Sequence, residues 1–327
     1  MAGLLAAGAM AALPEGVALY RAEIGGEAVG TAVLAVSCRG EAACTATWEA
    51  RLRAPAEAGG RVSVRRVEVE VDAAGRHRGG RVAVREDGTA GAARGVPGAV
   101  PATLAEVVLL SAAGEAEACL EVFDEATGER GRACGRRLHG EVQAEVLGAR
   151  VRISPGPSGF PVEVALPEQR ARFVRDPRAR VPDRPPRLHG TRVPGPALPS
   201  GPLRFCGLAA DAEPARVPPG LPPPEAEGED CRARAASWVA RAAARGIPAR
   251  TAVGVAWDGE GFAWHAWAEA RVDGTWIPVD PSFGQAPARG PRFTLARFGP
   301  GEGAARDEAG RRILACWGRA RVEQDVR

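Results

Sequence analysis

Residues 229–257 read EDCRARAASWVARAAARGIPARTAVGVAW, and residues 265–285 read HAWAEARVDGTWIPVDPSFGQ. The first stretch predicts a helix followed by a strand. Asp230 is a good N-cap, Cys231 follows at the first helical position, and the alanine- and arginine-rich run continues until Gly246 can cap it and Pro248 forbids continuation. The thiol of Cys231 therefore opens a helix. Unpaired backbone N–H groups there favour a thiolate, while Glu229 and Asp230 oppose it, so a cationic partner is needed to tip the balance.

The second stretch predicts a hairpin on Asp273-Gly274. With those two residues as the loop, Val272 faces Thr275, Trp267 faces Asp280 and His265 faces Ser282, which makes His265 and Asp280 diagonal neighbours on one face. A carboxylate so placed fixes the imidazole tautomer and stabilises its charged form. That completes a Cys-His-Asp set of Cys231, His265 and Asp280 with the roles of nucleophile, general base and orienting group. Singly, each has a plainer role: a packed thiol, a strand histidine, a turn aspartate before proline. Together, in the order helix, strand, strand, they point to chemistry. His77, His139 and His189 lie in charged or proline-rich surroundings and read as surface.

These residues and motifs resemble the transglutaminase-like superfamily, a papain-related group with a cysteine opening a helix, a GIPAR-type exit into a strand, an HAW motif and a W-x-P-x-DP motif. The resemblance covers about residues 201–327. It implies a papain-like α+β domain in which Cys231 is the nucleophile, His265 the base and Asp280 the orienting carboxylate. Trp264, Trp267 and Trp276 then either wall the site or pack the core. The implied reaction is acyl transfer or hydrolysis on a protein or peptide carboxamide through a thioester, with an amine or water as acceptor. The alternative is a non-catalytic envelope protein that uses the module for binding or assembly.

Outward from this core, the chain of 327 residues is 45% hydrophobic, 25% charged and 5% aromatic, an ordinary globular composition with room for about two domains. From Tyr20 to about Arg178 the pattern is mainly period two, as in Val67, Val69 and Val71, which predicts an antiparallel sheet domain over 14–178. Pro101–Ala112 interrupts it with leucine and valine at helical spacing, predicting one packed helix with Pro101 at its first position. A proline- and arginine-rich stretch, 179–202, reads as a linker, followed by the C-terminal domain over 203–327. The expected class is thus α+β: an antiparallel sheet domain with one helix, then the papain-like module.

Forty-three basic against forty acidic residues give a net charge of +3 with the signs interleaved, so nucleic acid is not an expected partner. All the basic residues are arginine, and the absence of lysine rules out self-crosslinking through an ε-amine. No D-x-D-x-D-G loop occurs and the four histidines are dispersed, so neither calcium nor zinc, nor any other cofactor, is expected. No apolar run after the N-terminus is long enough for a transmembrane helix.

The seven cysteines bear on compartment. Cys38 and Cys44 bracket a hairpin-like loop, and a turn at Ala126-Thr127 puts Cys119 opposite Cys134. Cys206 and Cys316 form a third candidate pair that leaves Cys231 over. Three bridges fit a periplasmic or secreted protein; the alternative is a cytoplasmic protein with all seven reduced. Met1–Leu13 resembles the back half of a secretion signal without its basic region, or else a mobile alanine-rich end.

Overall fold

Alternating apolar residues make most of this chain strand. In the computed structural model, which describes residues 12–40, 43–55, 60–79, 81–87, 89–186, 192–199, 201–212, 221–299, 312–313, 316 and 321–324, the protein is mostly β-sheet, 50% strand against 12% helix. Of the α+β architecture expected from sequence, the large N-terminal sheet is present, in a chain that is mostly strand. The reading of Met1–Leu13 as a signal falls almost wholly outside the described residues.

The chain divides into two compact units, residues 1–53 with 62–183, and residues 54–61 with 184–327. The first begins with β1 (Gly16–Ile24), β2 (Glu27–Arg39), β3 (Ala43–Arg53), β4 (Val62–Val71), β5 (Arg81–Glu86), β6 (Thr89–Arg94) and β7 (Val100–Pro101). After α1 (Ala102–Ala112) come β8 (Ala118–Phe123), β9 (Arg130–Leu138), β10 (Glu141–Val146), β11 (Ala149–Ser154), β12 (Glu163–Leu166) and β13 (Ala171–Arg175). They form one sheet in the order 6-5-4-3-2-1-13-12-11-10-9-8-7, two meanders joined where β1 pairs antiparallel with β13. Val67, Val69 and Val71 face inward, and Leu104, Val107, Val108 and Leu109 of α1 share a core with them and with Phe123 and Ile153. Burial of each such side chain stabilises the fold by about 1.5–3 kcal/mol before entropy is counted.

Two expectations for this unit are corrected. Pro101 lies at the end of β7 as the N-cap of α1, not inside the helix, and lends no side-chain cap. The cap comes from Glu125, whose Oε1 accepts from the Thr103 N–H at 2.7 Å and from Thr103 Oγ1 at 2.6 Å. His77, read as surface, is 2% exposed. Its Nδ1 accepts from the Gly79 N–H at 2.9 Å, its ring meets Phe123 edge-on at 5.4 Å, and burial lowers its pKa. The charged neighbours that suggested exposure sit on a segment whose own backbone pairs with Val71 and Ala99. His139 is exposed, and His189 lies outside the described residues.

The second unit contains β14 (Arg192–Val193), β15 (Leu203–Phe205), β16 (Leu208–Ala209), α2 (Cys231–Ala244), β17 (Ala249–Trp257), β18 (Phe262–Val272), β19 (Thr275–Val279), β20 (Arg292–Phe298) and β21 (Val322–Gln324). β20, β17 and β18 lie side by side, with β14 and β19 both pairing with the far edge of β18. Trp238, Val239 and Ala242 of α2 pack with Ala268, Ala270 and Val279. Disulfides join Cys38 to Cys44, Cys119 to Cys134 and Cys206 to Cys316, the three pairings expected from sequence. Cys231 is in none of them.

Candidate active site

α2 begins where capping chemistry predicts. The Asp230 carboxylate accepts from the Ala233 N–H at 2.8 Å, and the helix closes through Ile247 N–H to Ala242 O at 3.0 Å, with Gly246 at a φ of 74°. Cys231 occupies the first helical position and is 1% exposed.

The β18–β19 hairpin turns on Asp273 and Gly274, both at positive φ as a two-residue loop of this kind requires. Its register is Val272 with Thr275, Arg271 with Trp276, and on to Ala268 with Val279. Pro278 does not disturb it, because the Pro278 carbonyl faces away from β18 and accepts from the Ala288 N–H at 2.7 Å, so the missing N–H costs no ladder bond. Extending the register by one residue sets Asp280 beside Trp267 and diagonal to His265.

His265 and Asp280 meet. Nε2 of the ring lies 2.9 Å from Oδ2 and 3.1 Å from Oδ1 of Asp280, which is fully buried. Oδ1 also accepts from the backbone N–H groups of Ser282 (3.1 Å) and Phe283 (3.2 Å), and Oδ2 from Arg292 Nη2 (3.2 Å). Asp280 is thus both a turn former and a partner of the imidazole. Burial pushes its carboxyl up, but the hydrogen bond and charge of His265, the Arg292 guanidinium and the Phe283 N–H outweigh burial and hold it below the usual carboxylate range. An ionised carboxylate only accepts, so Nε2 carries the proton and Nδ1 is the basic nitrogen of the neutral ring.

Packing fixes the ring as well. Phe283 stacks on His265 with centroids 4.3 Å apart and an interplanar angle of 3°, and Trp267 lies nearly parallel at 6.3 Å. Gly254 pairs opposite His265, and a Cβ there would collide with the Phe293 carbonyl of β20, so only glycine admits that close approach. Of the three tryptophans considered for the wall, Trp267 stands by the ring, Trp264 packs on Phe205, and Trp276 carries the Arg250 guanidinium 3.7 Å above its ring. Arg250 and Arg297 both bond Glu269 on β18, at 2.7 and 3.0 Å.

Sequence reasoning missed Phe283, Gln285 and Arg292. Phe283 and Gln285 stand in the quoted VDPSFGQ motif, whose turn-forming DP signals a reversal. Arg292 opens a later strand and gives no local signal.

Residues 223–281 match the family model of the transglutaminase-like superfamily. The matched segment contains Cys231, His265 and Asp280. No curated protein matches the chain. A crystal structure of a DUF1089 family protein from Pseudomonas aeruginosa is similar over 40% of this chain and 87% of that one, at 16% identity and a TM-score of 0.27, a likeness too slight to carry an argument.

Proposed function

We propose that the second unit is a cysteine-dependent acyltransferase or amidase acting on a peptide or protein carboxamide. The Cys231 thiol passes its proton to His265 Nδ1 as sulfur attacks the carbonyl. The imidazolium then protonates the departing amine, leaving a thioester on Cys231 that an amine or water resolves. Asp280 keeps the ring in the required tautomer and stabilises its charged form. The observation that carries this reading is the buried His265–Asp280 pair with Nε2 turned to the carboxylate.

Topology supports it. β14 pairs with β18 at Phe262 and Ala263, and β19 pairs from Ala268 onward, so Trp264–Trp267 have no strand neighbour on that side among the described residues. His265 falls in this interval, where the start of a helix can approach it. The three disulfides and the lack, among the described residues, of any helix long and apolar enough to cross a membrane fit a periplasmic or secreted setting.

A second reading, a non-catalytic binding module, is favoured by one fact: Cys231 is 1% and His265 5% exposed, so substrate entry requires an opening. Alkylation of Cys231 by iodoacetamide, followed by mass spectrometry across pH, separates the two. Acyl-transfer chemistry requires labelling that persists well below pH 8 and retreats toward the ordinary thiol range in His265→Ala. Labelling only above about pH 8 in both proteins, or none at any pH, supports the binding module.

A further inference from the structure

The first unit holds a cavity of about 260 Å³ between α1 and the sheet. Its walls are mainly apolar and aromatic, with Leu34, Trp48, Val164 and Phe173 among them. That volume is below the roughly 300–1,000 Å³ of sites for drug-sized ligands, so the occupant is small.

One carboxyl in this apolar space is unexplained by the fold. Glu106 lines the cavity from α1, half-buried, and among the described residues it has no side-chain hydrogen-bond or ion-pair partner. Enclosure, with the nearby Glu125 charge adding to it, pushes the Glu106 carboxyl up to about 7. Arg65 also lines the cavity, but it forms no ion pair with Glu106. The other acids are already engaged: Glu125 caps α1 through Thr103, and Asp124 Oδ1 accepts from the Ala126 and Thr127 N–H groups. Tyr20, also on the wall, gives its hydroxyl to the Pro161 carbonyl at 3.3 Å, and burial pushes its phenol up to about 12, so it stays neutral. An anionic site walled by aromatic rings is the environment that recognises ammonium groups. A half-buried carboxylate in a mainly apolar wall, with no ion-pair partner among the described residues, is costly to keep charged, and the fold retains one here.

We propose that this cavity binds a small apolar amine, whose ammonium group pairs with the Glu106 carboxylate while its hydrocarbon part lies against Leu34, Trp48 and Phe173. The site is separate from Cys231 and independent of the acyl-transfer reading. Binding strengthens as pH rises from 6 to 8, because Glu106 ionises in that interval while an alkylammonium keeps its proton. The other charged groups facing this space are Arg65, Asp124 and Glu125, with Arg175 acting on Tyr20. Glu125, although burial raises it too, is held by Thr103.

The test is calorimetric titration of the full chain with n-hexylammonium, n-hexanol and hexanoate at pH 6 and 8. Hexylammonium is expected to bind more tightly at pH 8 than at pH 6, and more tightly than either of the other two. Glu106→Gln is expected to lower its affinity about tenfold or more while leaving hexanol unchanged. Equal or stronger binding of hexanol or hexanoate, the reverse pH trend, no binding of any of the three, or full ammonium affinity in Glu106→Gln would overturn the proposal. The wild-type series decides the matter even if the variant does not fold.

Discussion

Arg292 Nη2 and His265 Nε2 converge on one oxygen of Asp280, at 3.2 and 2.9 Å. The guanidinium also reaches Gln285 Oε1 at 3.2 Å and the Gly290 carbonyl at 3.0 Å, and Arg292 is 3% exposed. It therefore sets the position of the carboxylate that holds the imidazole. Replacement by methionine removes a buried cation and leaves Asp280 with less compensation. We expect Arg292→Met to lose about 3 kcal/mol or more in urea unfolding, the range for breaking a buried pair from one side.

Asp280 also sets an acid limit. Its folded-state pKa is depressed, so the native state binds fewer protons than the unfolded chain, and the stabilisation is present above the unfolded value of about 3.9 and lost as pH falls through the folded value. Wild type should therefore lose stability below about pH 4 more steeply than Asp280→Asn, whose stability is lower near neutral pH and approaches that of wild type in acid. Urea midpoints from pH 3 to 7 check this.

Glu106 has the opposite sign. A carboxyl raised to about 7 binds more protons in the folded state, so its contribution is fully present below the unfolded value and fades as pH rises through 7. Glu106→Gln should be more stable than wild type at pH 8, by up to about 3 kcal/mol, and should converge with it near pH 4. A difference that does not change with pH would contradict the raised pKa.

Asp230 both caps α2 and places a negative charge beside Cys231. Asp230→Ala should cost about 1 kcal/mol through the lost cap. Asp230→Asn keeps an acceptor for the Ala233 N–H but removes the charge, so alkylation of Cys231 should move to lower pH with little loss of stability.

The Cys206–Cys316 bridge closes 110 residues, and Cys38–Cys44 only 6. Loop-closure entropy predicts that removing the first by paired alanine substitution costs about 5 kcal/mol and the second about 2 kcal/mol. Chemical denaturation of the two double variants tests the ratio.

What the sequence revealed was local. The Asp273-Gly274 turn, the period-two flanks and the Pro278 position determine which side chains share a face, so the approach of Asp280 to His265 is legible in the sequence. The limits of α2 follow from Asp230, Gly246 and Pro248 in the same way, and the opposition of Cys119 to Cys134 from the turn between them. What escaped was set by distant partners. Arg292 reaches Asp280 from a strand that begins twelve residues later, Glu125 caps a helix from beyond the next strand, and His77 is buried because Phe123 and the Gly79 turn close over it. Charged neighbours in sequence report solvent only when the backbone between them lies at the surface.

The union of β1 with β13 has a consequence for synthesis. Tyr20–Ile24 pair with Ala171–Arg175, so the ribosome must deliver about 150 further residues before that flank of the first strand is covered. Until then the nascent meander presents an open row of amide and carbonyl groups, a template for pairing with other chains. The row is closed only when the thirteenth strand arrives.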